Sequence, residues 1–140
     1  MSNLGTVRHV DLKLEEVDML RVIHFEINVD QPERAINFYT TVFEWKIDKW
    51  EGPEDYWLVI TGEGNQPGID GALMKRMNPP ASTINTIDVP SVDDFVTKIT
   101  ENGGEIVRPK VAIPGVGYFA YCQDTEGNLF GIIQEDKMAQ

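Results

Sequence analysis

His24 and Glu26 stand two residues apart in the segment RVIHFEINVD, residues 21–30, which reads as a β-strand. Successive strand side chains point to opposite faces. His24, Glu26 and Asn28 therefore share one face, and Ile23, Phe25, Ile27 and Val29 share the other. A histidine beside a carboxylate can do two kinds of chemistry. It can begin a metal site, since neutral imidazole and carboxylate both ligate divalent ions. It can also move protons without a metal, if burial brings the two groups toward neutral pH. Ligand number weighs against the first. A tight zinc or nickel site takes at least three protein donors, and an Fe(II) oxygenase takes two histidines and a carboxylate. His24 and Glu26 supply two, with Asp88 as the candidate third. The plain alternative is that His24 is a hydrogen-bonded packing residue and that Asn28 and Thr86 satisfy neighbouring backbone groups.

The elements that position these residues come in two copies. DQPERAINFYTTVFEW (30–45) reads as a helix capped by Asp30, with Glu33 as capping-box partner and Pro32 in the first turn. Ala35, Phe38, Tyr39, Val42 and Phe43 form its apolar stripe. Strand-like runs follow at 45–51, 56–62 and 69–75, separated by the turns GPED and GEGNQPG. The glycine-rich second turn lacks the Gly-Lys-Ser/Thr ending of a phosphate loop and reads as a hairpin. After the linker RMNPPAS (76–82) the order repeats. TINTIDV is a strand, and SVDDFVTKITENGG is a helix capped by Ser91, striped by Val92, Phe95, Val96 and Ile99, and stopped by Gly103 and Gly104. EIVRPKVAI, GYFAYCQD and NLFGIIQE are three more strands, the last two joined by DTEG. A 60-residue register lays Val29 over Val89 and DGALM over FGIIQ, so the chain reads as a duplicated βαβββ unit. The expected organisation is an N-terminal arm (1–20) and one α+β domain (21–137) made of modules 21–76 and 82–137. Each helix should cover the apolar face of its leading strand. That leaves His24, Glu26 and Asn28, and in the repeat Ile84, Thr86 and Asp88, on a concave mixed sheet whose groove both modules line.

Charge excludes some partners. With 23 acidic and 12 basic residues the net charge is -11 and the pI near 4.5, which repels nucleic acid and anionic membrane surfaces. The single cysteine, Cys122, makes no internal disulfide, and Asp11, Glu15, Glu16 and Asp18 interrupt the segment where a signal peptide needs apolar residues. No run approaches membrane-spanning length, and a cytoplasmic location is expected.

The paired modules, with VIHFEINVDQPERAINFYTTVFEW opening the first and GYFAYCQDTEGNLFGIIQ closing the second, resemble the vicinal oxygen chelate superfamily. That group includes glyoxalase I, extradiol dioxygenases, fosfomycin-resistance enzymes and bleomycin-resistance proteins. The resemblance runs from about residue 21 to 135 and includes the D-x-x-G-N turn. YWLV, GALM and IPGVGYFAY are most similar to its glyoxalase-related branch of unknown activity. It implies the glyoxalase/bleomycin resistance/dioxygenase fold. In metal-dependent members a histidine opens each module, and a glutamate stands four residues after the glycine of the final turn. Here the first histidine matches His24 and its repeat partner is Ile84. The glutamate positions fall on Gly131 and, by the register, Gly71. Three of four ligands are absent. The resemblance thus implies no cofactor, with His24 the matching ligand should a divalent metal bind.

Two functional readings stay open. One is a metal-free, homodimeric binder of a small organic molecule, of the bleomycin-resistance type. The other is a lyase or isomerase in which His24 and Glu26 act on a carbonyl substrate, with or without a divalent metal; glyoxalase I activity itself is not expected. The expected ligand-binding set is His24, Glu26, Asn28, Tyr56, Gly71, Thr86, Asp88, Tyr118, Tyr121 and Gly131. Gly71 and Gly131 would open room in the groove. Trp45, Trp50 and Trp57 read as core or interface anchors, Cys122 as a buried small residue and His9 as surface. Arg108 and Lys110 fit either an anion contact or a solvated edge strand, and Pro114–Gly115 a lip over the groove.

Overall fold

The computed structural model describes residues 20–78 and 80–140. Residues 1–19, with His9 and nearly all of the expected arm, lie outside the described residues. The elements run β1 (Val22–Val29), α1 (Pro32–Phe43), β2 (Lys46–Lys49), β3 (Tyr56–Ile60) and β4 (Gly71–Lys75). The same order follows as β5 (Thr83–Asp88), α2 (Val92–Glu101), β6 (Glu105–Ile113), β7 (Gly117–Gln123) and β8 (Leu129–Glu135). This is the duplicated βαβββ order in a mixed α+β chain. The described residues divide into two compact units: Val22–Thr86 with Leu129–Gly131, and Ile87–Asn128 with Ile132–Gln140, Leu20 and Arg21.

In the first unit the strand order is β2-β3-β4-β1-β5. β1 pairs with β4 in parallel, and β3 is antiparallel to both β2 and β4. Val29, Val59 and Leu73 form the buried core, against which Phe25, Ile27, Ala35, Ile36, Tyr39, Trp45, Ile47 and Trp57 pack. Helix α1 therefore covers the apolar face of β1, each fully buried aliphatic contributing about 1.5–3 kcal/mol. Tyr39 and Trp45 stack with ring centroids 4.9 Å apart and planes within 3°. The expected α1 stripe needs correction. Ala35, Ile36 and Tyr39 meet the sheet, whereas Phe38, Val42 and Phe43 are 53%, 53% and 55% exposed. Helical periodicity marks an apolar arc, but the sheet covers only the part of it centred on Ile36 and Tyr39. Asp30 is not the cap either. Gln31 holds that position without a side-chain bond, Pro32 follows at once, and the Asp30 carboxylate instead accepts from Arg76 Nε at 2.8 Å.

In the second unit the strand order is β8-β7-β6, with β6 at the edge and irregular in register at Arg108. The α2 expectation matches: Ser91 Oγ accepts from the Asp94 N–H at 3.1 Å, Val92 is buried and Gly103 takes φ +95°. In the β7–β8 turn, Asp124 Oδ1 accepts from the Asn128 and then the Glu126 N–H groups, which holds its carboxyl below the usual carboxylate range. Gly127 there takes the left-handed φ +84° that favours glycine. Cys122 is fully buried, and desolvation pushes its thiol up to about 11, which suppresses thiolate reactivity. Among the described residues no helix is long and apolar enough to cross a membrane.

Candidate functional site

Strand register brings the candidate residues of the first unit onto one surface. Glu26 lies opposite Ala72 and Asn28 opposite Met74; on the other side of β4, Leu58 lies opposite Ala72 and Tyr56 opposite Met74. Opposed residues share a face, so Glu26, Asn28 and Tyr56 look the same way. β5 extends this face. The Asn28 N–H donates to the Ser82 carbonyl at 2.7 Å, at the end of β1 and just ahead of β5. At the other end the Asp88 N–H donates to the Arg21 carbonyl at 2.9 Å, so β5 runs back along β1, with a one-residue slip in register between the two bonds.

This face is deeply buried. Glu26 and Asn28 are each 4% exposed, Thr86 is 1%, and Ile84 and Ala72 are 0%. A carboxylate so placed must be hydrogen-bonded, because losing water costs several kcal/mol otherwise. Tyr56 provides one bond: its hydroxyl donates to Glu26 Oε2 at 2.7 Å. The same hydroxyl lies 2.9 Å from His24 Nε2. To reach Glu26 the Tyr56 side chain crosses β4 between Met74 and Ala72, and the single methyl of Ala72 leaves it room.

The chain of bonds fixes the histidine. With the Tyr56 hydroxyl proton directed to Glu26, the phenol oxygen accepts from His24 Nε2 in the Nε2–H tautomer of the ring. A neutral His24 then carries no proton on Nδ1, which takes no hydrogen bond among the described residues. Burial holds His24 below its ordinary 6.5, outweighing the opposite pull of Glu26 and Asp70. The ring is therefore neutral above pH 6.5, with Nδ1 an acceptor and a base.

Among the described residues, two further polar atoms are buried without a partner, Asn28 Nδ2 and Thr86 Oγ1. The other Asn28 atom, Oδ1, accepts from the Met77 N–H at 2.9 Å, so its amide nitrogen is oriented as a donor. Each orphan costs about 1–3 kcal/mol unless something met on this face satisfies it.

The remaining candidates fall elsewhere. A Cβ on Gly71 would strike the Phe25 carbonyl and lie 2.5 Å from Phe25 Cδ1; Gly71 pairs with Phe25 and faces the helix side, so it permits close strand approach and is turned away from His24. Gly131 is buried in β8. Asp88, Tyr118 and Tyr121 belong to the second unit. Burial, and then Glu135, raise the Asp88 carboxyl above the usual range. Tyr118 lies under the Lys110 ammonium at 5.2 Å, and Tyr121 under the Arg108 guanidinium at 5.9 Å. Lys110 also pairs with Asp93 at 3.1 Å, as a solvated edge-strand lysine would. The GEGNQPG segment is a hairpin loop, closed by Thr61 donating to the Ile69 carbonyl and Asp70 Oδ1.

The residues present do not fit the divalent metal that the vicinal oxygen chelate resemblance brings. His24 and Glu26 share Tyr56, and no three His, Cys, Asp or Glu side chains among the described residues converge on a point. The sequence reading missed the bridging role of Tyr56 and the clearance at Ala72. Both depend on β1 and β3 flanking β4, a pairing that alternation within one strand does not encode.

Residues 21–132 match the family model described as Glyoxalase/Bleomycin resistance protein/Dioxygenase superfamily. A glyoxylase-like domain-containing protein from Didymella fabae is 29% identical over 112 residues, covering 76% of this chain and 88% of that one. Methylmalonyl-CoA epimerase from Mycobacterium tuberculosis superposes with a TM-score of 0.60 at 14% identity, over 82% of this chain and 87% of that structure. A superfamily member from Vibrio splendidus 12B01 superposes with a TM-score of 0.58 at 18% identity, over 84% and 99%. At such identities the structural likeness is one of fold.

Proposed function

This chain belongs to the glyoxalase/bleomycin resistance protein/dioxygenase superfamily, and on that premise we propose that it binds a small organic molecule on the polar face of β1 without a metal. The observation that carries the reading is the pair of orphans, Thr86 Oγ1 and Asn28 Nδ2, buried on the face that also holds His24, Tyr56 and Glu26. A ligand with oxygen acceptors that enters this face satisfies both. The lone, buried Cys122 supports a reducing, cytoplasmic setting. A fragment screen by ¹H–¹⁵N NMR tests the reading. Ligands should shift the Asn28 side-chain amide and the Thr86 amide first; a screen whose hits all map elsewhere contradicts it.

A second reading rests on the His24–Tyr56–Glu26 chain of hydrogen bonds. His24 Nδ1 takes a proton from a carbon beside a carbonyl, the C–H pair moves onto the carbonyl oxygen as an enolate, and the imidazolium, held through Tyr56 and Glu26, returns the proton to carbon. A superfamily fold shared with an epimerase is compatible with such a proton transfer. Here His24→Ala and Glu26→Gln should each abolish turnover while leaving the fold intact, whereas turnover kept in both removes the reading.

A further inference from the structure

The polar face of β1 continues across β4 and β3 to β2, and its solvent-reached end narrows what kind of molecule it takes. Leu58 stands opposite Asp48 and Ala72, Ile60 opposite Lys46, and Ala72 opposite Glu26. One step back along the β1–β4 ladder from Phe25 and Gly71, Asp70 stands beside His24, and its carboxylate acts on the imidazole electrostatically. Neighbouring strands lie about 4.8 Å apart, so one small group can touch both side chains. This end is open. Leu58 and Ile60 are 43% and 47% exposed, and Asp70 is exposed. His24 Nδ1 bonds to no described residue and is not among the buried unpartnered atoms, so it meets solvent. Thr61 pins the Asp70 carboxylate, giving Oδ1 its backbone N–H at 2.9 Å and its hydroxyl at 3.2 Å, while Oδ2 accepts from no described residue.

We infer that this open end takes an organic ammonium ion, whose N–H groups donate to Asp70 Oδ2 and His24 Nδ1 while its apolar frame lies over Leu58 and Ile60. The inference rests on the binding role proposed above and adds the charge of the ligand. Two bare acceptors on neighbouring strands match a group that only donates, and an alkylammonium has three N–H bonds and no acceptor. A carboxylate or a ketone brings lone pairs to both and leaves them unsatisfied. Charge points the same way. Among the described residues of this open end, Asp48 and Asp70 stand against one ammonium, Lys46, which lies two strands and about 10 Å from Asp70. The chain as a whole carries a net charge of -11, which attracts cations. Because Thr61 already fixes Asp70, little side-chain freedom is lost when a ligand meets it. Burial, which keeps the His24 ring neutral, leaves Nδ1 able to accept.

The test titrates the full chain, ¹⁵N-labelled and at neutral pH, with cyclohexylmethylamine, cyclohexylmethanol and cyclohexanecarboxylate, which share a frame and differ in charge. The amine should bind at least about tenfold tighter than the alcohol, because hydrogen bonds between charged groups outweigh neutral ones. It should move the His24 ring ¹⁵N resonances and the Asp70 amide, and lose affinity as salt rises. Asp70→Asn keeps an acceptor for Thr61 and removes the charge, so it should erase the amine's advantage and leave alcohol binding unchanged. Leu58→Ser, at an exposed position, should weaken amine and alcohol alike. Equal binding of amine and alcohol, tightest binding of the carboxylate, or an amine advantage that survives Asp70→Asn overturns the ammonium reading, and the binding role stands where the probes still shift Asn28 or Thr86. Probes that perturb none of His24, Asn28, Asp70 and Thr86 overturn both.

Discussion

The Tyr56 hydroxyl donates to Glu26 Oε2 across 2.7 Å although β4 separates their two strands. The β4 residue opposite Glu26 is Ala72, whose single methyl leaves that path short of side-chain bulk. Three residues on three strands are thus coupled: a carboxylate that must lose water, a phenol that satisfies one of its lone pairs, and a small residue that lets the phenol pass.

Tyr56→Phe removes the bonds to Glu26 and His24 while keeping the ring. Loss of hydrogen bonds to buried polar groups costs about 1–3 kcal/mol. Urea denaturation should show a loss in that range, and a change below about 0.5 kcal/mol would mean that water replaces the phenol without penalty.

Ala72→Leu places a branched side chain under the Tyr56 ring at a site that is 0% exposed. Overpacking costs about 1–3 kcal/mol, and the displaced hydroxyl should also release His24 from its single tautomer. Stability loss with the tautomer intact would place the Tyr56 path elsewhere.

Gly71→Ala drives a methyl against the Phe25 carbonyl and ring, on the face toward α1. A loss of about 1–3 kcal/mol is expected from forced backbone and ring shifts, with ligand affinity unchanged once folded protein is compared. Lost affinity at unchanged stability would return Gly71 to the ligand site.

The pH dependence follows from the direction of the His24 shift. Its folded value lies below 6.5, so above that pH both folded and unfolded histidine are neutral and the group has no effect on stability. As pH falls below 6.5 the unfolded chain binds the proton first, and stability declines until the folded value is passed. Denaturation between pH 7.5 and 5 should show this decline in the wild type and a shallower one in His24→Gln. Equal slopes would mean that burial does not disfavour the charged ring. Asp88, raised by burial and Glu135, acts in the opposite sense and at the more acid end of the scale.

Much of this fold was legible in the sequence because local signals agreed with tertiary ones. EIVRPKVAI forms β6 over Glu105–Ile113 as read, Ser91 caps α2, and among the described residues the helices and strands fall in their expected order. Asp30 misled because its capping preference competed with Pro32, which fixes the first helical turn one residue later, and with Arg76, which is 46 residues away in sequence. Phe38, Val42 and Phe43 misled because periodicity reports an apolar arc and not the width of the surface that covers it. For the site, alternation alone put His24, Glu26 and Asn28 together. That Gly71 faces Phe25, and that Tyr56 reaches Glu26, are facts of register between strands, which the sequence of one strand does not contain.

The central claim is metal-independent binding of an organic molecule on the polar face of β1. It is tested most directly on full-length protein purified without chelator, by elemental analysis for metals and native mass spectrometry for bound small molecules, wild type beside Thr86→Val and His24→Ala. The expected result is metal well below one ion per chain, with an organic adduct on the wild type that both variants lose. One divalent ion per chain, lost in His24→Ala and kept in Thr86→Val, would contradict it.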